Sequence, residues 1–261
     1  MKIPYMRVAC TQTGCFPGDV PANLRQIDRL AGEASAAGAA LVVFPELMTT
    51  GYASPEVVAP LAERIPGPVS GEITRMATHH RIALAVGLPE RSGSGDACFN
   101  TLFLVDAEGR ALLHYRKVHL WDTEKSWARG GDGFPVHLLG DLHLGANICY
   151  DVRFPEGARS LALAGAQLML LPTAWLGPVD EWELAVRSRA MDNGIYVAAS
   201  ALQGESFLGS SLIVDPHGTV IGRGDPGAEQ LVIADIDPAA VARFRRRVPL
   251  LRDRQPDCYS S

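Results

Sequence analysis

Residues 36–45 read AAGAALVVFP, and residues 163–172 read LAGAQLMLLP. Each segment has small residues at the end of a helix, a glycine, an uncharged apolar run and a closing proline. A short strand that is apolar at every position is typical of a sheet covered on both faces. The two segments therefore predict one deeply buried strand in each half of the chain.

The surroundings of these two strands repeat in the same order. NTLFLVDAEGRAL at 100–112 resembles SSLIVDPHGTVI at 210–221, and both patterns predict a hairpin. A helix followed by a strand precedes each hairpin, at 72–88 and at 183–200. Repeated elements in one order indicate two similar halves. We expect an α/β fold, a four-layer α-β-β-α sandwich with two pseudo-repeated halves, as a single domain over residues 1–261.

Local patterns place the elements of the first half. Leu24, Ile27, Leu30 and Ala34 fall on one face of a helix. The predicted helices cover 21–37 and 69–80, and the predicted strands cover 7–11, 40–44, 82–88, 102–105 and 111–115.

Composition narrows the class of protein. The chain has 261 residues and a net charge of −5, and a chain of this length can bury a large core without disulfides. The densest basic stretch, residues 243–247, indicates the solvated face of a helix, so we expect no nucleic-acid partner. The apolar stretch at 161–176 is too short for a membrane span, and no secretory signal is visible. We expect a cytoplasmic protein with no membrane partner.

The five cysteines are odd in number and widely scattered, with no CxxC pair. This pattern argues against a disulfide framework and against a zinc site. We therefore expect reduced thiols and no metal.

Three reactive side chains each follow an apolar strand: Glu46, Lys117 and Cys149. Residues just beyond strand ends line the ligand crevice in layered α/β folds. Taken singly, each has a structural alternative: a surface carboxylate, a solvated lysine and an inert core thiol.

Together their motifs resemble those of the nitrilase, or carbon–nitrogen hydrolase, superfamily. The motifs are VVFPE at 42–46, YRKVHLW at 115–121 and NICYDVRFPE at 147–156. The resemblance runs from RVACTQT near the start to VPLLRDRQPDCY near the end. It implies a cysteine nucleophile with a glutamate and a lysine beside it. In EKSWARGGDGFPV at 124–136, Glu124 matches a second, supporting glutamate of the family, with a solvated carboxylate as the alternative.

The resemblance implies chemistry that needs no metal or organic cofactor. Glu46 would take the proton of Cys149, and the thiolate would attack an amide carbon. Lys117 and the backbone N–H of Tyr150 would stabilise the oxyanion. The thioester would then be hydrolysed by water that Glu46 activates. We expect a structural role for the neighbouring His119.

The substrate is less strongly indicated. Residues adjoining the motifs are the candidates for substrate binding, although each aromatic could instead be core packing: Tyr52, Trp121, Tyr150, Asp151 and Trp175. Tryptophans in the cavity would favour small aliphatic acyl groups. The sequence CYDVRFPE resembles the corresponding sequences of amidase branches of the superfamily, including ω-amidases. We therefore expect hydrolysis of a small aliphatic amide to carboxylic acid and ammonia.

Other functions remain as alternatives. N-carbamoyl compounds or nitriles could be hydrolysed by the same residues, and an acyltransferase could use the same thioester. A ligand-binding relic of the fold is the non-enzymatic alternative. The resemblance also implies a homodimer, paired through residues 155–164 and the tail from residue 249.

Overall fold

The computed structural model describes residues 5–93, 95 and 97–259. Its strands are β1 (Met6–Gln12), β2 (Leu41–Val43), β3 (Ala83–Arg91), β4 (Cys98–Val105), β5 (Ala111–Arg116), β6 (Val136–Leu139), β7 (Leu142–Ala146), β8 (Leu168–Thr173), β9 (Tyr196–Ala201), β10 (Leu212–Val214), β11 (Val220–Arg223) and β12 (Gln230–Ile236). Its α-helices are α1 (Val20–Ala36), α2 (Pro55–Val58), α3 (Pro68–His80), α4 (Pro155–Leu163), α5 (Val179–Asn193) and α6 (Pro238–Arg247). Short 3₁₀ helices cover Ala59–Leu61, Asp122–Ser126, Cys149–Arg153 and Pro256–Cys258.

The strand orders of the two sheets confirm the predicted repeat. One sheet has the order β12-β1-β2-β3-β4-β5, and the other has the order β6-β7-β8-β9-β10-β11. In both, an antiparallel edge strand is followed by three parallel strands and an antiparallel hairpin. Both hairpins also shift register, at Leu104/Val105 and at Ile213/Val214. The two halves therefore share one topology.

Alternating side chains along the central strands build the four layers. In β1, Val8 and Cys10 belong to the core between the sheets, whereas Ala9 packs in the cluster beneath α1 and α3. On the far side, α4 and α5 cover the second sheet. Leu170 of β8 is fully buried, and burying a side chain of this size contributes about 2 kcal/mol. The arrangement is the predicted α-β-β-α sandwich.

Capping residues fix the helix ends and so the starts of the strands that follow. The Asp19 carboxylate accepts a hydrogen bond from the Ala22 N–H at 2.9 Å, which satisfies a free donor at the start of α1. Gly38, with φ of +78°, then turns the chain into β2. The predicted helices 21–37 and 69–80 agree with α1 and α3 to within one residue.

The remaining sequence-based predictions concern the surface of α6, the end of α4 and the absence of a membrane span. Arg243, Arg246 and Arg247 of α6 are exposed, as predicted for a solvated face. Leu163, at the end of α4, is also exposed, and pairing through this segment into a homodimer stays a prediction. None of the helices in residues 5–93, 95 and 97–259 is long and apolar enough to cross a membrane.

Candidate active site

Four buried polar side chains meet where strands of both sheets end. Glu46 follows β2, Lys117 follows β5 and Cys149 follows β7, while Glu124 lies in the 3₁₀ helix Asp122–Ser126. The exposed fractions of Glu46 and Lys117 are 0%, and that of Glu124 is 1%. Cys149 is 8% exposed and lines a cavity. The structure thus brings together the four residues that the sequence predicts as catalytic.

An ammonium between two carboxylates forms the charged part of this cluster. Lys117 Nζ donates to Glu46 Oε1 at 2.7 Å and to Glu124 Oε2 at 2.7 Å. Glu124 Oε2 also accepts from the N–H of Trp121 at 2.7 Å, which ties the cavity wall to the cluster. Buried charges are retained where each one is paired and hydrogen-bonded, as these are.

Asn100, which the sequence analysis did not identify, joins the two glutamates. Its side-chain nitrogen donates to Glu46 Oε1 at 2.7 Å and to Glu124 Oε1 at 2.8 Å. Asn100 lies within β4 and is fully buried. The polar cluster therefore contains one more residue than the four that the sequence predicts as catalytic.

Burial and the neighbouring charges shift the pKa values of Glu46, Cys149 and Lys117. Burial raises the pKa of Glu46 to about 7, and the charge of Lys117 opposes this rise. Burial also raises the pKa of the Cys149 thiol, and the charge of Glu46 adds to that effect. Although burial alone lowers the pKa of Lys117, the charges of Glu46 and Cys149 hold it well above its usual range. The resting site has a neutral thiol, an ammonium and a carboxyl group that titrates near neutrality.

The backbone at Cys149 is held in an unusual conformation. Its φ is +45°, in the left-handed region, which costs a non-glycine residue about 1–3 kcal/mol. Tyr150 follows in the first turn of the 3₁₀ helix Cys149–Arg153, and within the described part of the chain its N–H has no acceptor. The hydroxyl of Thr173 and the N–H of Ala174 lie against the sulfur, where they favour its anion. The N–H of Ala174 also donates to Glu46 Oε2 at 3.0 Å.

A cavity of about 260 Å³ opens onto Cys149. Its lining is largely apolar and comprises Tyr52, Trp121, Cys149, Tyr150, Arg153, Ala174, Trp175, Leu176, Gly177, Pro178 and Glu181. Four of the five predicted substrate-binding residues are thus at the cavity: Tyr52, Trp121, Tyr150 and Trp175.

The cavity also carries one ion pair that the sequence did not reveal. Arg153 donates to Glu181 at 2.7 Å, and its guanidinium lies 4.6 Å from the ring centroid of Trp175.

Among the described residues, no group of His, Cys, Asp and Glu side chains is arranged to hold a metal ion.

Asp151 is not at the cavity, contrary to the sequence-based prediction. Its Oδ2 accepts from the Tyr115 hydroxyl at 2.6 Å and from the Ile148 N–H at 2.9 Å. Its Oδ1 accepts from the N–H of His119 and lies 2.8 Å from His119 Nδ1. Because the carboxylate is buried and fully engaged, Asp151 holds the turn that carries Cys149. The ring of His119 stacks on the ring of Phe154, with their centroids 3.7 Å apart, which agrees with the structural role expected for His119.

Comparison with known proteins identifies the class. The carbon–nitrogen hydrolase family model matches residues 7–246. A hydrolase in the pqqF 5′ region of Pseudomonas protegens is 39% identical, over 98% of this chain and 92% of its own length. The omega-amidase NIT2 of Xenopus tropicalis is 36% identical, over 91% of each chain.

A solved structure agrees with both matches. A mutant of the amidase from Nesterenkonia sp. AN1, with the acetamide moiety of fluoroacetamide on its active-site cysteine, superposes with a TM-score of 0.82 and 31% identity. The match covers 98% of this chain and 96% of that one. The chain belongs to the carbon–nitrogen hydrolase family and is a hydrolase of the nitrilase superfamily.

Proposed function

We propose that this protein hydrolyses a small aliphatic amide to a carboxylic acid and ammonia, through a thioester on Cys149. The observation that carries the proposal is the placement of Cys149 at the cavity, with Glu46 and Lys117 buried directly behind it. Relatives named as amidases support the same reaction class. The Nesterenkonia amidase bears a covalent adduct on its active-site cysteine, which supports a nucleophilic role for Cys149.

The first step transfers a proton and forms a bond. The Cys149 thiol is protonated at rest, so attack needs a base, and Glu46 has a pKa of about 7 beside it. The sulfur adds to the amide carbon while Glu46 takes the thiol proton. Negative charge then develops on the carbonyl oxygen, next to the Tyr150 N–H and the Lys117 ammonium. Each such donor contributes about 3–4 kcal/mol to the transition state.

The second half of the reaction reuses the same groups. Glu46 returns its proton to the amide nitrogen, the carbon–nitrogen bond breaks and ammonia leaves. The carboxylate of Glu46 then removes a proton from water, which adds to the thioester carbon. Collapse of this adduct releases the carboxylic acid, and the proton on Glu46 restores the thiol of Cys149.

The cavity supports a short substrate with a charged far end. Its volume of about 260 Å³ lies below the roughly 300–1,000 Å³ of drug-sized pockets, so we infer a small acyl group. Arg153 is the cation in the lining, and its partner Glu181 is a surface residue that a ligand can displace. An amide with a carboxylate at its other end would pair with Arg153 in this arrangement, and one relative is named an omega-amidase.

A screen of ammonia release tests the proposed function. The panel contains short neutral amides, linear amides that end in a carboxylate, N-carbamoyl compounds and nitriles. We expect the fastest release from the carboxylate-bearing amides. Release from N-carbamoyl compounds or nitriles alone would instead support the alternative substrates, and release from none of the panel would contradict the proposal.

Arg153→Met should separate recognition of the far end from the chemistry. A charge-assisted hydrogen bond in a site of this kind is worth about 1.5–3 kcal/mol, so KM for carboxylate-bearing amides should rise roughly 10- to 100-fold. The kcat for a short neutral amide should change little, because Arg153 does not contact the reacting atoms. Glu181→Gln is the matched control: it removes the competing carboxylate, so KM should fall or stay constant. An equal loss for charged and neutral amides in Arg153→Met would contradict this role.

A further inference from the structure

Asn100 forms hydrogen bonds with three of the four predicted catalytic residues. Its Nδ2 donates to Glu46 Oε1 at 2.7 Å and to Glu124 Oε1 at 2.8 Å. Its backbone carbonyl accepts from the N–H of Lys117 at 2.8 Å. The side chain does not line the cavity. Asn100 therefore acts on the polar cluster and not on the substrate.

The same two carboxylate oxygens also accept from the ammonium. Lys117 Nζ lies 2.7 Å from Glu46 Oε1 and 2.9 Å from Glu124 Oε1. Two acceptors and two donors thus alternate around a closed ring of four atoms. Buried carboxylates repel each other, and hydrogen bonds to the charged form offset that repulsion. A primary amide has two hydrogens, and Asn100 directs one to each carboxylate.

The other end of this side chain is left without a partner. Asn100 Oδ1 is buried, and no donor among the described residues reaches it. An unpaired buried acceptor costs about 1–3 kcal/mol. Leu102 and Leu104, further along the same face of β4, show that an apolar side chain suits this surface. The cost at position 100 is explained if the amide hydrogens are needed by the two glutamates.

We propose that Asn100 is a positioning residue, which orients the carboxylates of Glu46 and Glu124 around the Lys117 ammonium. The inference rests on the proposed role of Glu46 as the general base. Without Asn100, Glu46 loses a bond that favours its charged form, so its proton stays bound to a higher pH. The titratable groups that face Glu46 are Lys117, Glu124, Cys149 and Tyr52, and all four remain in an Asn100 variant.

The test is the pH dependence of Asn100→Leu, an almost isosteric change that removes both donors. Two rates are measured from about pH 5 to about pH 9: kcat/KM for an amide, and alkylation of Cys149 by iodoacetamide. In the wild type, both should rise with a midpoint set by Glu46, at about 7. In Asn100→Leu the midpoint should move upward by about one unit, so both rates fall about 10-fold on the acid side and recover at high pH.

Asn193→Leu is the matched control, because Asn193 is also buried with an unpaired Oδ1 but lies at the end of α5. It should leave the midpoint unchanged. Asn100→Ser keeps one donor and should give a smaller upward shift, and it decides the question if the leucine variant does not fold. An unmoved midpoint in the folded variants, with or without a uniform loss of rate, overturns the proposal. Alkylation needs no substrate, so it tests Asn100 even if no amide is hydrolysed and the proposed function fails.

Discussion

Cys149→Ala should abolish amide hydrolysis while the protein stays folded. The variant keeps Glu46, Lys117 and Glu124 but has no atom that can form the thioester. Loss of a nucleophile from a cooperating set costs kcat on the order of 10⁴-fold or more. Steady-state ammonia release gives kcat, and circular dichroism with thermal unfolding checks the fold. Mass spectrometry should detect an acylated protein for the wild type in rapid-quench samples and none for the variant.

Cys10→Ala is the matched control for this prediction. Cys10 is fully buried between the sheets, and burial raises the pKa of its thiol as it does for Cys149. Its substitution should cost about 1 kcal/mol of stability through the smaller side chain and should leave kcat unchanged. Near-normal turnover by folded Cys149→Ala would contradict the mechanism, and so would equal losses in the two variants.

Strand ends placed the three residues at plausible positions for a shared site, but their catalytic roles were predictable only because the three motifs together resemble those of the nitrilase superfamily. VVFPE, YRKVHLW and NICYDVRFPE each place the reactive residue a few positions beyond an apolar run. The fold was predictable from the sequence repeat. The repeat of AAGAALVVFP as LAGAQLMLLP marks β2 and β8, which occupy the same position in the two sheets. β12 was missed, since it pairs with β1 from the opposite end of the chain.

The geometry after Cys149 could not be foreseen from residue order. Residues 149–153 form a 3₁₀ helix, which has three residues per turn, so Tyr150 and Arg153 project from the same side. Asp151 lies on another side of the turn and is directed into the core. Adjacency in sequence therefore suggested Asp151 as a cavity residue and overlooked Arg153.

Asn100 was missed because its role depends on distant partners. Glu46 and Glu124 are 54 and 24 residues away from it in sequence. The available signal was weak: asparagine is uncommon in strands, and it precedes Leu102 and Leu104 on one face of β4. A polar residue in that position indicates that a buried side chain forms hydrogen bonds, but it does not indicate with which residues.

Lys117→Met should cause the second large loss, and it should act on both turnover and stability. The substitution removes an oxyanion donor, so kcat should fall on the order of 10³-fold. It also leaves Glu46 and Glu124 buried without their cation. Breaking a buried charge pair in this way costs about 3–5 kcal/mol. Chemical denaturation at several pH values measures the free energy of unfolding, and ammonia release measures kcat.

The pH dependence of that stability loss has a definite sign. Burial already raises the pKa of Glu46 to about 7, and removal of the Lys117 charge raises it further. A carboxyl group that ionises at a higher pH in the folded chain than in the unfolded chain binds more protons when folded. The free energy of unfolding of Lys117→Met should therefore fall as the pH rises from about 5 to about 8. A flat or rising profile would contradict the assignment of both glutamates to one buried charge cluster.

The double variant Lys117→Met/Glu46→Gln separates charge balance from catalysis. In the wild type, two carboxylates and one ammonium give a formal charge of −1, and Lys117→Met leaves −2. Adding Glu46→Gln returns the formal charge to −1, so much of the lost stability should be recovered, and its fall with rising pH should be smaller. Turnover should not recover, because the double variant lacks both the ammonium and the base. Recovery of stability without turnover would show that Lys117 has two separable roles, as partner of the glutamates and as donor to the oxyanion. If the stability of the double variant stays as low as that of Lys117→Met, then unpaired negative charge is not the cause of the stability loss in the single variant.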